Sequence, residues 1–333
     1  MDWLLLIGGA ALVAAAILDV VWTSLWVGGS AGPFARLIAR VCWVVIKAAD
    51  RNHRLMVVAG PAILTLTVLG WILLLWGGWV LVFSSEPSSI LTTSTDNVGD
   101  VTDRIYFVGY TIFTLGNGDF SPNGDVWQVA TAVAAGSGLF TATLAVTYLL
   151  SVVSAAVSGR AFAAEVAGLG PTAADAVTTA WDGRSYGHLS FPLQSASSQL
   201  SKLGQQYLAY PVLQYFHAGK PSQSPMVALA RLEQILAISS VAVPEGQRAP
   251  GVLHNSVGSA IDTVLDALPS HFTKPADAPL PLPDLAPFFK QGRQTVDSSE
   301  FEASLSAVEL RRKKLRGLLN AHGWDAEDVY RTN

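Results

Sequence analysis

Three stretches of this 333-residue chain are apolar over lengths that can cross a lipid bilayer. Residues 3–27 contain one charged side chain, Asp19, and residues 55–83 and 126–159 contain none. About 20 apolar residues span the hydrocarbon core, so each stretch is long enough for a transmembrane helix. At about 1.5 Å per residue, the third helix would measure about 50 Å and would continue beyond the bilayer. The sequence therefore predicts an all-α membrane protein with three transmembrane helices.

Charged residues are concentrated in the second half of the chain. Of the 21 basic and 25 acidic residues, 15 lie in residues 1–158 and the other 31 in residues 159–333. This asymmetry predicts a membrane-embedded half followed by a soluble half, and it excludes a single soluble globule and a disordered chain. With one cysteine, Cys42, the chain cannot form an intramolecular disulfide. The net charge of −4 gives no reason to expect a nucleic-acid partner.

The loops between the apolar stretches predict the orientation of the chain. The first loop is basic and the second is acidic. The basic residues are Arg36, Arg40, Lys47, Arg51 and Arg54, and the acidic residues are Glu86, Asp96, Asp100 and Asp103. Because basic loops stay in the cytoplasm, we expect a multi-pass protein of the cell (inner) membrane with its N-terminus outside and residues 160–333 in the cytoplasm.

A fourth apolar stretch, residues 105–118, is too short to span the bilayer and predicts a re-entrant segment. A short helix to about Phe113 is followed by the sequence Thr-Leu-Gly-Asn-Gly-Asp at residues 114–119. Irregular backbone at membrane depth occurs only where it lines a water-filled path or is buried in protein. Gly116 and Gly118 permit positive φ at alternate residues, so that successive carbonyl groups can face one axis. Four such loops would form oxygen rings that replace the hydration shell of a cation.

Residues 114–119 resemble the filter of the potassium-channel pore-loop family. That family has Thr-Val-Gly-Tyr-Gly-Asp at this place, and Pro122 also matches its pattern. The order of outer helix, pore helix, filter and inner helix extends the resemblance over residues 60–158. It implies a homotetramer in the lipid bilayer, a filter ending at Asp119, and a gating hinge near Gly138. The filter carbonyl groups that the resemblance implies as K+ ligands are those of Thr114, Leu115, Gly116 and Asn117.

The extra N-terminal helix and the stretch Tyr-Pro-Val-Leu-Gln-Tyr-Phe-His at residues 210–217 resemble a bacterial branch of short ion-channel proteins. We expect an N-terminal helix and basic loop (residues 1–54), a pore domain (55–159) and a helical cytoplasmic domain (160–333). The resemblance implies a potassium channel and not an enzyme. K+ is then the permeant ion, and the sequence indicates no cofactor and no small-molecule substrate.

Asn117 departs from the family pattern, in which an aromatic residue packs behind the filter. Its amide needs hydrogen-bond partners, which are either Tyr106, Tyr110 or Thr111 on the pore helix or water. A weakly selective channel for monovalent cations is therefore the main alternative to a potassium channel. An ion-transporter subunit and a non-conducting membrane regulator are further alternatives, although transporter pores usually combine four such loops in one chain.

Polar and small residues of the third helix allow two interpretations. The hydroxyl groups of Ser137, Thr141 and Thr147 either line a wet cavity below the filter or form hydrogen bonds within and between helices. Gly138 either acts as the hinge or only permits close helix packing. One sequence does not separate these interpretations.

Asp19 is the only charged residue within the first apolar stretch. An intramembrane acid favours a functional role, such as pairing with a basic residue near the inner face. The alternative, which we favour, is that Asp19 lies in the interface and bonds Trp22 or Thr23.

Residues 160–333 have the composition of a soluble helical domain. Residues 226–243 form its clearest predicted helix, bounded by prolines at both ends. Five prolines predict a stiff, extended connector over residues 274–288, and a last helix is predicted over residues 299–320. The basic run at residues 311–316 is either a solvated helix face, which we favour, or a contact for anionic lipid.

No motif identifies the gating stimulus of this channel-like chain. The sequence has no glycine-rich nucleotide fingerprint, no arginine ladder and no cysteine or histidine pairs at zinc spacing. The six histidines are scattered. His217 is either a pH sensor or, as we favour, a packed or surface residue.

Overall fold

The computed structural model describes residues 1–28, 30–49, 55–291, 295 and 298–330. Most of these residues are helical, and among them are four helices that are long and apolar enough to cross a membrane. Arg51 and Arg54 of the predicted basic loop lie outside the described residues.

The first half of the chain is helical, apart from two short strands. Its elements are α1 (Trp3–Leu25), α2 (Pro33–Ala49), α3 (Met56–Ser84), β1 (Ile90–Thr92), α4 (Val101–Ile112), β2 (Phe120–Pro122) and α5 (Asp125–Gly168). With 44 residues, α5 is about 66 Å long at about 1.5 Å per residue, which exceeds the thickness of a hydrocarbon core. The residues between the first two apolar stretches, predicted as a loop, largely form the helix α2.

The second half is also helical. Its α-helices are α6 (Ala173–Thr179), α7 (Ser190–Ala209), α8 (Pro225–Ala237), α9 (Gly251–Ala267), α10 (Ala286–Lys290), α11 (Ser298–Leu305) and α12 (Glu309–Ala321). The predicted helix over residues 299–320 is thus divided into α11 and α12, with the 3₁₀ turn Ser306–Val308 between them.

The chain divides into two compact units. The N-terminal unit comprises Met1–Val45 and Pro61–Val152, and the C-terminal unit comprises Ile46–Gly60 and Val153–Asn333. The predicted boundaries, after residues 54 and 159, therefore differ from those of the compact units. Within the C-terminal unit, the start of α3 lies directly against Phe216, since a Cβ atom built at Gly60 would lie 2.5 Å from the ring of that residue.

In the N-terminal unit, α1 packs closely on α3 through glycine. A Cβ atom built at Gly9 would lie 2.6 Å from the carbonyl oxygen of Gly78, so the two backbones are in contact. Small residues permit this approach, and dispersion contacts then stabilise the pair. The helix that the pore-loop resemblance does not include is therefore packed against the predicted outer helix.

The buried carboxylate of Asp19 joins α1, α2 and α3. It accepts hydrogen bonds from the backbone N–H groups of Phe34 (2.8 Å) and Ala35 (3.2 Å) and from the indole N–H of Trp71 (2.8 Å). The partners predicted for Asp19 were wrong, since they were a basic side chain or neighbours in α1. The first turn of α2 supplies unpaired N–H groups and the positive end of a helix dipole, both of which stabilise a carboxylate.

In the C-terminal unit, α8 is a core helix. With the π-helical turn Ile238–Ala242 it forms Pro225–Ala242, the fourth helix with enough length and hydropathy to cross a membrane, and 83% of its 18 residues are buried within the protein. The helix also carries Arg231, whose guanidinium donates to the carbonyl oxygen of Val329 at 3.0 Å. The burial of this helix inside the C-terminal unit accounts for its apolar residues.

The basic run of α12 is wrongly predicted as a solvated face. Arg311 donates two hydrogen bonds to the carboxylate of Asp262, at 2.7 and 2.6 Å, and lies 3.5 Å from the carboxylate of Glu233. Burial raises the pKa of Glu233, and the charge of Arg311 opposes that rise. Arg311 therefore joins α12 to α8 and α9 and is not a free cation on a solvated face.

Arg312 explains why the proline-rich segment is not a free connector. Its buried Nη2 donates to the carbonyl oxygens of Leu280 (3.0 Å) and Pro281 (2.9 Å). Proline has no N–H group but keeps its carbonyl acceptor, so this segment offers acceptors to buried arginines.

Candidate functional site

Residues 114–119, hereafter the 114–119 loop, follow α4, and a capping box fixes the start of that helix. The backbone N–H of Asp103 donates to the Asp100 side chain, and the N–H of Asp100 donates to the Asp103 side chain, both at 2.9 Å. The buried guanidinium of Arg104 donates to the carbonyl oxygen of Pro87 at 2.5 Å. These contacts hold α4 against the loop that precedes it and so determine where its C-terminal end delivers the 114–119 loop.

The backbone of the 114–119 loop alternates in handedness. The φ angles of Thr114, Gly116 and Gly118 are +56°, +60° and +80°, whereas those of Leu115 and Asn117 are not positive. Positive φ at a β-branched residue such as Thr114 is a strained conformation that surrounding structure must hold in place. A Cβ atom built at either glycine would meet nothing within 4 Å. Glycine is needed there for its φ and not for space within the chain.

The carbonyl oxygens of this loop are available for a ligand. Among the described residues, no hydrogen-bond donor reaches the carbonyl oxygens of Thr114, Leu115, Gly116 or Asn117. The carbonyl of Gly118 is already occupied, because it accepts from the Thr93 hydroxyl at 2.8 Å. Residues 113–119 are all exposed in the single chain.

Side chains of α4 support the loop from behind. The amide Nδ2 of Asn117 donates to the hydroxyl of Tyr106 at 2.6 Å, and that hydroxyl donates to Oδ2 of Asp119 at 2.9 Å. The hydroxyl of Tyr110 donates to the carbonyl oxygen of Phe120 at 3.0 Å. Of the partners predicted for Asn117, the structure selects Tyr106.

Two strands that the sequence did not indicate secure the end of the loop. β1 pairs antiparallel with β2, with Ile90 opposite Pro122 and Thr92 opposite Phe120. The N–H of Thr93 donates to the carbonyl oxygen of Asp119 at 3.0 Å and extends this pairing into the loop. Strands of three residues give almost no periodic signal, so only their pairing identifies them.

The hydroxyl groups predicted to line a cavity are in different environments. The Ser137 hydroxyl accepts from the Trp79 indole N–H at 3.0 Å and joins α5 to α3. Thr141 is 1% exposed, and its hydroxyl has no hydrogen-bond partner among the described residues. Thr147 is exposed, with its hydroxyl donating to the carbonyl oxygen of Thr143 at 2.9 Å. Of the three, Thr147 has the surface position that a cavity-lining residue requires.

Gly138 of α5 lies directly against the end of α4. A Cβ atom built there would overlap the backbone carbonyl of Ile112. By contrast, a Cβ atom at Gly136 would meet nothing within 4 Å, and α5 continues unbroken through both positions. The position of Gly138 thus requires glycine for close packing between the two helices.

The segment between α3 and α4 carries several acidic residues, among them Glu86. Glu86 lies 3.1 Å from the amino group of Met1, and hydrogen bonds from that group and from Ser88 hold the pKa of Glu86 below its usual value. No group of three or more histidine, cysteine or acidic residues in the described part of the chain is arranged to hold a metal ion. The backbone carbonyl oxygens of residues 114–117 are oxygen groups of the 114–119 loop that no donor within the described chain occupies.

A long helix, a short helix, a glycine loop and a second long helix follow one another here, and this part of the chain is similar to an ion-channel family. A family model described as an ion channel matches residues 69–155, which run from α3 into α5. More particularly, the chain belongs to the same family as the membrane protein YdjJ of Bacillus subtilis (strain 168), which is named as uncharacterized. The two are 36% identical over 318 residues, covering 95% of this chain and 93% of that relative. No solved structure matches the chain significantly.

Proposed function

We propose that this protein is a homotetrameric potassium channel that conducts K+ passively through a filter formed by the 114–119 loop. The observation that carries the proposal is the positive φ of Thr114, Gly116 and Gly118, which alternate with residues whose φ is not positive. The four carbonyl oxygens from Thr114 to Asn117, which receive no hydrogen bond within the described chain, support it further. Such oxygens can replace the hydration shell of a monovalent cation.

A tetramer follows from the presence of a single such loop in the described chain. One loop supplies one side of an oxygen ring, so a closed ring requires further copies. Apolar side chains of α5 are exposed in the single chain, including Val126 (75%) and Leu139 (61%), and suit contacts with neighbouring subunits and lipid. An ion-transporter subunit is disfavoured, because transporter pores usually combine four loops in one chain.

A weakly selective channel for monovalent cations is the second candidate, and Asn117 is the observation that favours it. An aromatic residue at this place would pack behind the filter over a larger apolar area. The hydrogen bonds among Asn117, Tyr106 and Asp119 supply a polar support in its place. We favour K+ because these hydrogen bonds hold Asn117 and Asp119 in place. In addition, Thr114 and both glycines of the loop have positive φ.

In this proposal α1, α3 and α5 cross the membrane, α4 is re-entrant and α8 is a core helix of the C-terminal unit. The N-terminus is outside, and residues 160–333 form a cytoplasmic helical domain. The proposal includes no enzymatic activity and no cofactor beside the permeant ion.

The test is ion flux through the purified full-length protein in liposomes, with K+ and then Na+ gradients of equal size. We expect the reversal potential to lie close to the equilibrium potential of K+. We also expect that the largest product of cross-linking in detergent contains four chains. Equal permeability to both ions would establish the weakly selective alternative. Absence of flux from a correctly assembled tetramer would contradict conduction altogether.

A further inference from the structure

Two adjacent stripes of exposed side chains run along α2. The apolar stripe consists of Leu37, Val41, Val44 and Val45, each between 52 and 61% exposed. The basic stripe consists of Arg36, Arg40 and Lys47, which are also exposed. At about 100° per residue, the centres of the two stripes lie roughly 100° apart around the helix. One side of α2 is therefore apolar along one edge and positively charged along the next.

The start of α2 is held at a defined depth beside the membrane helices. Its first turn is bonded to Asp19, which lies about 24 Å along α1 from Trp3, near the end of a hydrocarbon core about 30 Å thick. A Cβ atom built at Gly70 of α3 would lie 2.6 Å from the ring of Phe34 and 3.1 Å from Ile38. Phe34 lies within the arc of the apolar stripe, whereas Ile38 and the buried Ala35 lie beyond its edge, so the packed side of α2 adjoins the apolar stripe and faces away from the basic stripe.

We infer that α2 lies on the membrane surface and binds anionic lipid headgroups through its basic stripe. In water, the apolar stripe would leave four large side chains exposed side by side. At the boundary between acyl chains and headgroups it is buried, and basic side chains beside it reach the phosphate layer. Each basic residue close to an anionic surface strengthens the attraction, and three act together here.

Charge complementarity selects lipid as the occupant. Neighbouring subunits of a ring meet through different faces, so a subunit on α2 would have to supply an apolar zone and an acidic zone side by side to match the two stripes. An anionic bilayer surface offers apolar and negative zones side by side along the whole helix. The inference concerns membrane binding alone, so it stands or falls separately from ion conduction.

Spin labels on the full-length protein test where the apolar stripe lies. With Cys42→Ser as background, the chain has no native thiol, and a nitroxide is placed by Val44→Cys. In liposomes of phosphatidylcholine and phosphatidylglycerol, we expect this label to collide more with oxygen than with a water-soluble nickel chelate. Phe191→Cys, at a site 80% exposed in the C-terminal unit, is the control and should show the reverse. A water-like label at Val44→Cys, or one shielded from both reagents by protein, would overturn the inference.

A lipid-selection experiment tests the basic stripe. We expect wild-type protein to immobilise spin-labelled phosphatidylglycerol in preference to phosphatidylcholine. The variant Arg36→Gln/Arg40→Gln/Lys47→Gln should lower that preference several-fold. The matched control Lys202→Gln/Lys220→Gln/Lys290→Gln removes three exposed charges elsewhere and should leave it unchanged. An equal loss in both variants, or in neither, would refute a specific role for the basic stripe.

Discussion

The side-chain amide of Asn117 donates a hydrogen bond to the hydroxyl of Tyr106 at 2.6 Å. That hydroxyl in turn donates to the carboxylate of Asp119 at 2.9 Å, so one phenol of α4 supports two residues of the 114–119 loop. A hydrogen bond to a carboxylate is stronger than one between two neutral groups, although water screens it at an exposed site. We therefore regard Tyr106 as the principal positioning residue for the upper part of the loop.

Removing the Tyr106 hydroxyl should weaken ion selectivity. Tyr106→Phe keeps the ring but leaves Asn117 and Asp119 without their shared partner. We expect the tetramer to form and the potassium-to-sodium permeability ratio, measured from reversal potentials in bilayers, to fall several-fold. The companion variant Asn117→Tyr should keep or raise that ratio, because it restores an aromatic residue behind the filter. If Tyr106→Phe leaves the ratio at its wild-type value, this hydrogen bond does not support the filter.

Adding a methyl group at Gly118 should abolish conduction. Its φ of +80° is unfavourable for alanine, and left-handed backbone costs roughly 1–2 kcal/mol per residue. We expect Gly118→Ala to assemble but not to conduct in a liposome flux assay. Gly77→Ala adds the same group in a helix where nothing lies within 4 Å and should conduct normally. Normal flux through Gly118→Ala would mean that this loop is not the filter.

Gly138 should behave as a packing residue. In Gly138→Ala the new methyl group would overlap the Ile112 carbonyl, and overpacking of this kind costs about 1–3 kcal/mol. We expect a lower melting temperature and a lower yield of assembled protein, measured by size-exclusion chromatography and differential scanning fluorimetry. Gly136→Ala, which meets open space within the chain, should resemble wild type. A fully stable but permanently closed Gly138→Ala channel would instead indicate a hinge.

The loops on either side of α3 should lie on opposite sides of the membrane. In a Cys42→Ser background, single cysteines are introduced by Ser30→Cys and Ser94→Cys. An impermeant thiol reagent applied to intact cells should label Ser94→Cys, because its loop is acidic, and should not label Ser30→Cys. Permeabilised cells provide the control for accessibility of both sites. Labelling of Ser30→Cys from outside would reverse the proposed orientation.

The C-terminal unit should lose stability in acid through His322. Burial and the neighbouring His217, whose Nδ1 lies 3.4 Å away, lower the pKa of His322 from 6.5 to about 3. The unfolded chain then binds a proton that the folded chain does not. The stabilisation is therefore complete above pH 6.5 and is lost as pH falls from 6.5 towards 3, by at most about 1.4 kcal/mol per unit.

Hydrogen exchange of the α12 amides checks this expectation. Corrected for intrinsic rates, protection in the wild type should fall between pH 7 and pH 5.5 by roughly a factor of ten per unit at most. His322→Leu should show a smaller dependence on pH, whereas the exposed His188→Leu should keep it in full. An unchanged dependence in His322→Leu would assign the effect to other groups, such as His254, whose pKa is also lowered by burial.

Much of the loop was predictable from local sequence. Gly116 and Gly118 are the residues whose φ preference permits the observed conformation, and Asp100 is a residue type that caps helices. The strain at Thr114 and the hydroxyl of Thr93 on the Gly118 carbonyl were not predicted. Both depend on how β1, β2 and α4 are packed together. Neither produces a residue spacing or a composition that can be recognised in the sequence.

By itself, the sequence determined that this chain has apolar helices of membrane length and a glycine loop between two of them. Bilayer thickness and the φ preference of glycine act on each segment whatever its distant neighbours are. Only the tertiary structure decided what Asp19, Gly138 and Arg311 do. Asp19 bonds residues 15 to 52 positions away, Gly138 meets the α4 backbone, and Arg311 pairs with Asp262 of α9. A buried charge or a helix crossing is stabilised by whichever partner the fold brings to it, and that choice is made by long-range packing.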